Sequence, residues 1–89
     1  MGTWFVYILE CNDGTYYTGI TCDIARRIDE HKCGKGARYT RIKGVKDLLW
    51  CMSCGNRSTA LKHEIKIKSL SRSEKKLLIL QSASLVPSP

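Results

Sequence analysis

Glu64 is the side chain whose position packing does not explain. At about 100° per residue, Ala60, Leu61, Ile65 and Ile67 define the apolar arc of a helix, and Glu64 falls inside that arc rather than opposite it. An ionised carboxylate on a buried face costs several kcal/mol unless it is paired or bound to a cation, and the partners available are Lys68 one turn on, Arg27, or a divalent ion. A second pair, Arg27 and His31, combines a permanent cation with a titratable imidazole four residues apart, hence on one helical edge. Two tyrosines, Tyr7 and Tyr17, stand on segments joined by a tight turn; packing across strands accounts for such a pair as readily as acid–base chemistry. Six cations, Lys32, Lys35, Arg38, Arg41, Lys43 and Lys46, follow one another with no acid among them, and Tyr39 lies within the run. A second group comprises Lys66, Lys68, Arg72, Lys75 and Lys76. A solvated surface explains either run, but together they suit a ligand rich in phosphate.

The elements that must hold these groups follow from local patterning. Thr3 to Glu10 is aromatic and β-branched and too short for a stable helix, so it reads as a strand. Asn12-Asp13-Gly14 turns the chain, and Thr15 to Ile20 returns as the second strand of a hairpin. Asp23 caps a helix that runs to about Cys33 and stops at Gly34, with Ile24 and Ile28 as its buried stripe and Arg27 and His31 on a different edge. Gly34 to Gly44 reads as a flexible or partly helical basic loop. Val45 to Ser53 is a third strand. Asn56 or Ser58 caps a helix to about Leu70, and the capping box Ser71-x-x-Glu74 starts a last helix bearing Leu77, Leu78 and Leu80. The order is β-β-α-β-α-α: an α+β fold with a three-stranded antiparallel sheet flanked by helices.

The 89 residues allow one domain, expected over residues 1–81, with a flexible tail over residues 82–89 that is rich in Ser and Pro. Fifteen Lys and Arg against eight Asp and Glu leave a charge of +7, which favours a polyanionic partner, nucleic acid before an anionic membrane surface. No apolar run is long enough to span a bilayer, and the opening Met1-Gly2-Thr3-Trp4 has no basic segment leading into an apolar one, so a cytoplasmic protein is expected. Five cysteines are an odd count in a reducing compartment. Cys51-x-x-Cys54 is half of a zinc knuckle, but Cys11, Cys22 and Cys33 stand alone, so reduced thiols are expected and structural zinc is not.

Taken together, Phe5-Val6-Tyr7, Tyr17-Thr18-Gly19, Arg27, His31 and a later helix carrying Glu64 resemble the GIY-YIG nuclease superfamily. The resemblance runs from about Thr3 to Ile79 and is strongest to small stand-alone members; Tyr17-Thr18-Gly19-Ile20-Thr21, Gly34-Lys35-Gly36-Ala37 and Ala60-Leu61-Lys62-His63-Glu64 are similar to that subgroup. Phe5 and Val6 replace the Gly and Ile of the first motif, and Thr18 replaces the Ile of the second. The Asn that larger members carry beyond the glutamate has no counterpart.

The resemblance implies an endonuclease that hydrolyses DNA phosphodiesters with one divalent ion, Mg2+ or Mn2+, on branched, nicked or damaged DNA in repair or recombination; RNA stays open as a further ligand. It implies catalytic roles for Tyr7, Tyr17, Arg27, His31 and Glu64, with Glu64 the metal ligand, Arg27 on the phosphoryl oxygens, one tyrosine as general base acidified by the cation and metal, and His31 as relay. Lys32, Lys35, Arg38, Arg41, Lys43 and Lys68 are the expected nucleic-acid contacts, Lys68 alternatively orienting Glu64. With no targeting domain attached, the chain is expected either to be weakly selective or to borrow specificity from a protein partner or a homodimer. A module on the same scaffold that binds nucleic acid with little or no catalysis is the alternative.

Overall fold

The computed structural model describes residues 2–85. Its elements are β1 (Trp4–Cys11), β2 (Tyr16–Thr21), α1 (Ile24–Lys32), α2 (Arg38–Lys43), β3 (Val45–Gly55), α3 (Arg57–Lys68) and α4 (Arg72–Leu85). The α+β expectation holds, and the basic segment expected to be flexible or partly helical forms a short helix over Arg38–Lys43. Solvent-side cations and a buried Thr40 give that segment one amphipathic turn and a half.

Local chemistry sets the boundaries. At the hairpin, Asp13 accepts from the amide and hydroxyl of Thr15 at 3.1 and 2.6 Å, closing the turn between β1 and β2. Asp23 accepts from the Arg26 amide at 3.1 Å, and Asn56 from the Thr59 amide at 2.8 Å, each satisfying a free donor at a helix start. The Ser71–Glu74 box is reciprocal: the Ser71 amide donates to Glu74 at 2.8 Å and the Glu74 amide to Ser71 at 3.1 Å. From it α4 extends to Leu85, into the segment expected as tail; residues 86–89 lie outside the described residues.

The sheet order is β2-β1-β3, all antiparallel, so β1 is central. Side chains alternate across it. Val6 and Ile8, both without exposed surface, face one way and join Trp50 and Ile67 in a core flanked by Ile20, Met52, Leu78 and Ile79. Each such aliphatic burial stabilises by roughly 1.5–3 kcal/mol. Tyr7 and Leu9 face the other way and are as deeply buried. Ile8 pairs with Trp50 while Leu9 pairs with Leu48, so Leu49 is an extra residue in β3. This bulge keeps Trp50 on the core side and Leu48 on the tyrosine side of the sheet.

Two expectations about side-chain faces are corrected. His31, expected on a separate edge from the stripe of α1, is its buried residue at 1% exposure, whereas Ile24 and Ile28 are half-buried. The imidazole is drawn inward because hydroxyls meet both its nitrogens, which removes the cost of burying it. On α3, Ala60 and Ile67 are buried but Ile65 is 68% exposed. The buried arc is therefore narrower than expected and centred nearer Ala60 and Ile67, with the Glu64 side chain still only 17% exposed.

Candidate active site

The site begins with the β1–β2 register. Tyr7 pairs with Gly19 and Leu9 with Tyr17, so the tyrosines are diagonal neighbours on one face, ring centroids 6.4 Å apart. A Cβ at Gly19 would lie 2.5 Å from the Tyr7 hydroxyl and 3.1 Å from the Tyr17 ring. Glycine is needed there because the Tyr7 ring lies on the β2 backbone.

From α1, His31 is reached by both tyrosines, its ring centroid 5.9 Å from that of Tyr7 and 5.4 Å from that of Tyr17. Tyr7 Oη and His31 Nε2 are 2.9 Å apart, and His31 Nδ1 is 2.7 Å from Thr40 Oγ1 on α2. The Thr40 hydroxyl donates to the Ala37 carbonyl at 2.9 Å. Gly36 completes the cradle, since a Cβ there would collide with the imidazole. Arg27, one turn before His31, lies within electrostatic reach of the Tyr7 hydroxyl and holds Glu30 at 3.1 Å.

The electrostatics follow from burial. Desolvation pushes the Tyr7 phenol up to about 12, with Tyr17 and Glu64 adding to the rise and Arg27 opposing it. From the protein's own groups alone Tyr7 is harder to ionise than a free phenol; the acidified tyrosine that the resemblance implies, Tyr7 or Tyr17, draws on a bound metal as well as on the guanidinium. Burial, and then the charge of Arg27, push His31 down to about 4 despite Glu30, so the imidazole is neutral at physiological pH.

Glu64 comes from α3 into electrostatic reach of Tyr7, and its carboxylate is 3.5 Å from Lys68. No group of three or more His, Cys, Asp or Glu that could hold a metal occurs among the described residues. A single, mostly buried carboxylate suits a hard ion such as Mg2+ or Mn2+, which keeps several waters and takes its other ligands from phosphate. It does not suit zinc, which requires a closed set of soft donors. The five cysteines are free thiols, with Cys11 buried.

Around this centre the expected nucleic-acid contacts divide. Lys32, Lys35, Arg38 and Arg41 are exposed cations at the end of α1, in the following loop and on α2. Lys43 instead pairs with Asp13 and lies over the ring of Tyr39, 5.2 Å from its centroid. Tyr39 in turn stacks on Tyr17 at 6.0 Å. Lys68 is turned to Glu64. The structure thus gathers Tyr7, Tyr17 and His31 in contact, with Arg27 and Glu64 in electrostatic reach of Tyr7, and adds Thr40 and Gly36. Nothing in the spacing marked those two: Thr40 is one neutral hydroxyl in a charged segment, and its burial exists only once α2 folds over α1.

The sheet order, the tyrosine pair and the Arg–His helix define a class, and residues 3–77 match the GIY-YIG catalytic domain. The chain belongs to the GIY-YIG family, whose domain is in general a nuclease, acting on nucleic acid with a divalent metal. It is 52% identical over 80 residues to a UPF0213 protein of Desulfotalea psychrophila, covering 89% of this chain and 73% of that one. A UPF0213 protein of Yersinia enterocolitica is 46% identical over 84 residues, covering 93% and 87%. Among solved structures, the solution NMR structure of a UPF0213 protein from Bacillus halodurans is similar with a TM-score of 0.58 at 43% identity, covering 89% of this chain and 84% of that chain. The solution NMR structure of an E. faecalis protein gives 0.64 at 33% identity, covering 100% and 94%.

Proposed function

We propose that this chain, as a single nuclease domain over residues 1–81, is a divalent-metal-dependent endonuclease that hydrolyses DNA phosphodiesters. The observation that carries the reading is the Tyr7 hydroxyl, 2.9 Å from His31 Nε2 and in electrostatic reach of both Arg27 and Glu64. Hydrolysis requires a water to lose a proton, charge on phosphorus to be stabilised and the 3′ oxygen to depart. Tyr7 takes the proton of the attacking water while passing its own to His31, so no free phenolate has to accumulate. Arg27 holds the phosphoryl oxygens with its planar fork of donors. Tyr17, stacked on Tyr39 and tilted against His31, positions the water or the phosphate. Glu64 holds Mg2+ or Mn2+, with Lys68 orienting the carboxylate. When bound, the ion neutralises charge on the phosphate and the departing oxygen. Lys32, Lys35, Arg38 and Arg41 draw in the DNA backbone, and branched, nicked and damaged structures are the substrates proposed.

One observation favours the alternative, a module that binds without cutting: Tyr7 is strongly protonated and Arg27 is engaged by Glu30. End-labelled single-stranded, duplex, nicked, flap and branched DNA, incubated with Mg2+ or Mn2+, separates the two readings. Wild-type cleavage that Glu64→Ala and Arg27→Ala abolish is the expected result. Salt-sensitive binding by all three proteins with cleavage by none establishes the binding module.

A further inference from the structure

The hydrogen bonds around His31 fix where its proton sits. Thr40 has one hydroxyl proton, and Ala37 offers a carbonyl at 2.9 Å, which can only accept. With its proton committed there, Thr40 Oγ1 is an acceptor for His31 Nδ1 at 2.7 Å, so Nδ1 carries the imidazole proton. A neutral imidazole has one N–H, which leaves Nε2 bare, and the Tyr7 hydroxyl at 2.9 Å donates to it. The reverse order satisfies fewer groups. If Thr40 donated to Nδ1, the Ala37 carbonyl would lose that bond. Tyr7 would then receive from His31, and the nearby Arg27, which can only donate, could not accept its proton either. Thr40 is 1% exposed, so solvent does not substitute for its hydroxyl.

We propose that Thr40 is a positioning residue that locks His31 in the Nδ1–H tautomer and thereby aims the Tyr7 proton at Nε2. This rests on the nuclease reading only in its last step. As water loses a proton to Tyr7 Oη, the phenolic proton moves to Nε2, and the resulting imidazolium keeps its Nδ1–H on Thr40. The stretch from Gly36 into α2 therefore has a task separate from contacting phosphate: Gly36 admits the ring, and Thr40 sets its tautomer.

The test uses the full chain with 15N-labelled histidine in a His63→Gln background, which leaves His31 as the one histidine. Two-bond nitrogen–proton spectra should show Nδ1 protonated and Nε2 bare. Thr40→Ser should keep that pattern, and Thr40→Val should replace it with a mixture or with the Nε2–H form. Cleavage kinetics should then show a fall in kcat of about tenfold or more for Thr40→Val with KM within about twofold, and near-normal values for Thr40→Ser. Protonated Nε2 in the parent protein, an unchanged tautomer in Thr40→Val, or an unchanged kcat in that variant overturns the proposal. If Thr40→Val does not fold, the parent and Thr40→Ser spectra still decide the tautomer. If the parent cleaves nothing, the nuclease reading fails while the spectra continue to test Thr40.

Discussion

The two faces of the central strand bury side chains equally well and use burial for opposite ends. Val6 and Ile8 enter an apolar core with Trp50 and Ile67, where shape decides the energy. Tyr7, one residue from each, enters a cradle of Arg27, His31 and Thr40, where hydrogen-bond direction decides it. The contrast shows in their faults. On the cradle side the buried atoms of Tyr7, His31 and Thr40 are bonded in a chain, whereas on the core side Thr18 Oγ1, opposite Ile8, is buried without a partner. Desolvation on the core face holds the fold together, and on the other it sets the protonation states of a site.

Four measurements break or sharpen this contrast. Ile8→Ala should cost about 4 kcal/mol in denaturant unfolding, since it opens a cavity in a small core; a loss below about 1 kcal/mol would mean that the core face is not close-packed. Acid should act through the other face. Folded His31 titrates at about 4 and the unfolded imidazole at about 6.5, so between those values the unfolded chain binds a proton that the folded chain refuses. Stability should therefore be flat above about pH 6.5 on this account and fall by on the order of 3 kcal/mol toward pH 4. The acid slope of the parent minus that of His31→Gln isolates the effect, and identical slopes would refute it. Tyr7→Phe keeps the ring and loses the hydroxyl; cleavage should drop by about a hundredfold, roughly 2.7 kcal/mol in barrier, with the protein still folded. Undiminished cleavage would remove Tyr7 from the proton path. Thr18→Val, isosteric and without the orphaned hydroxyl, should stabilise by about 1 kcal/mol and leave cleavage unaltered. A destabilised Thr18→Val would show that the hydroxyl is satisfied in solution.

What could be read from the chain was whatever its nearest neighbours determine. The Asp13-Gly14 turn, the Asp23 cap and the Ser71–Glu74 box lie within a few residues of the groups they bond, so strand and helix starts were visible, and the helix order with them. Glu64 was visible as a carboxylate at odds with its apolar arc. The bulge at Leu49 was not, because it arises only when β3 pairs with β1. Nor was the burial of His31: on α1 alone Ile24 and Ile28 look like the inner stripe, and only the hydroxyls of Tyr7 and Thr40, from two other elements, reverse that preference. The direction of the Tyr7 shift was hidden for the same reason, since the loss of water around it outweighs the nearby guanidinium.

The central place of β1 also sets the order in which the molecule is completed. Its pairing with β2 closes a short turn and forms on a microsecond scale, whereas its pairing with β3 waits for α1 and α2 to be spanned. Tyr7, Tyr17, Arg27, His31 and Thr40 all precede β3, and Glu64 follows it. A chain emerging from the ribosome therefore presents the residues proposed for the proton path before the carboxylate proposed to hold the metal. On the proposed function the docking of α3 is then the step that completes the site, so this late helix would act as the molecule's own arming step.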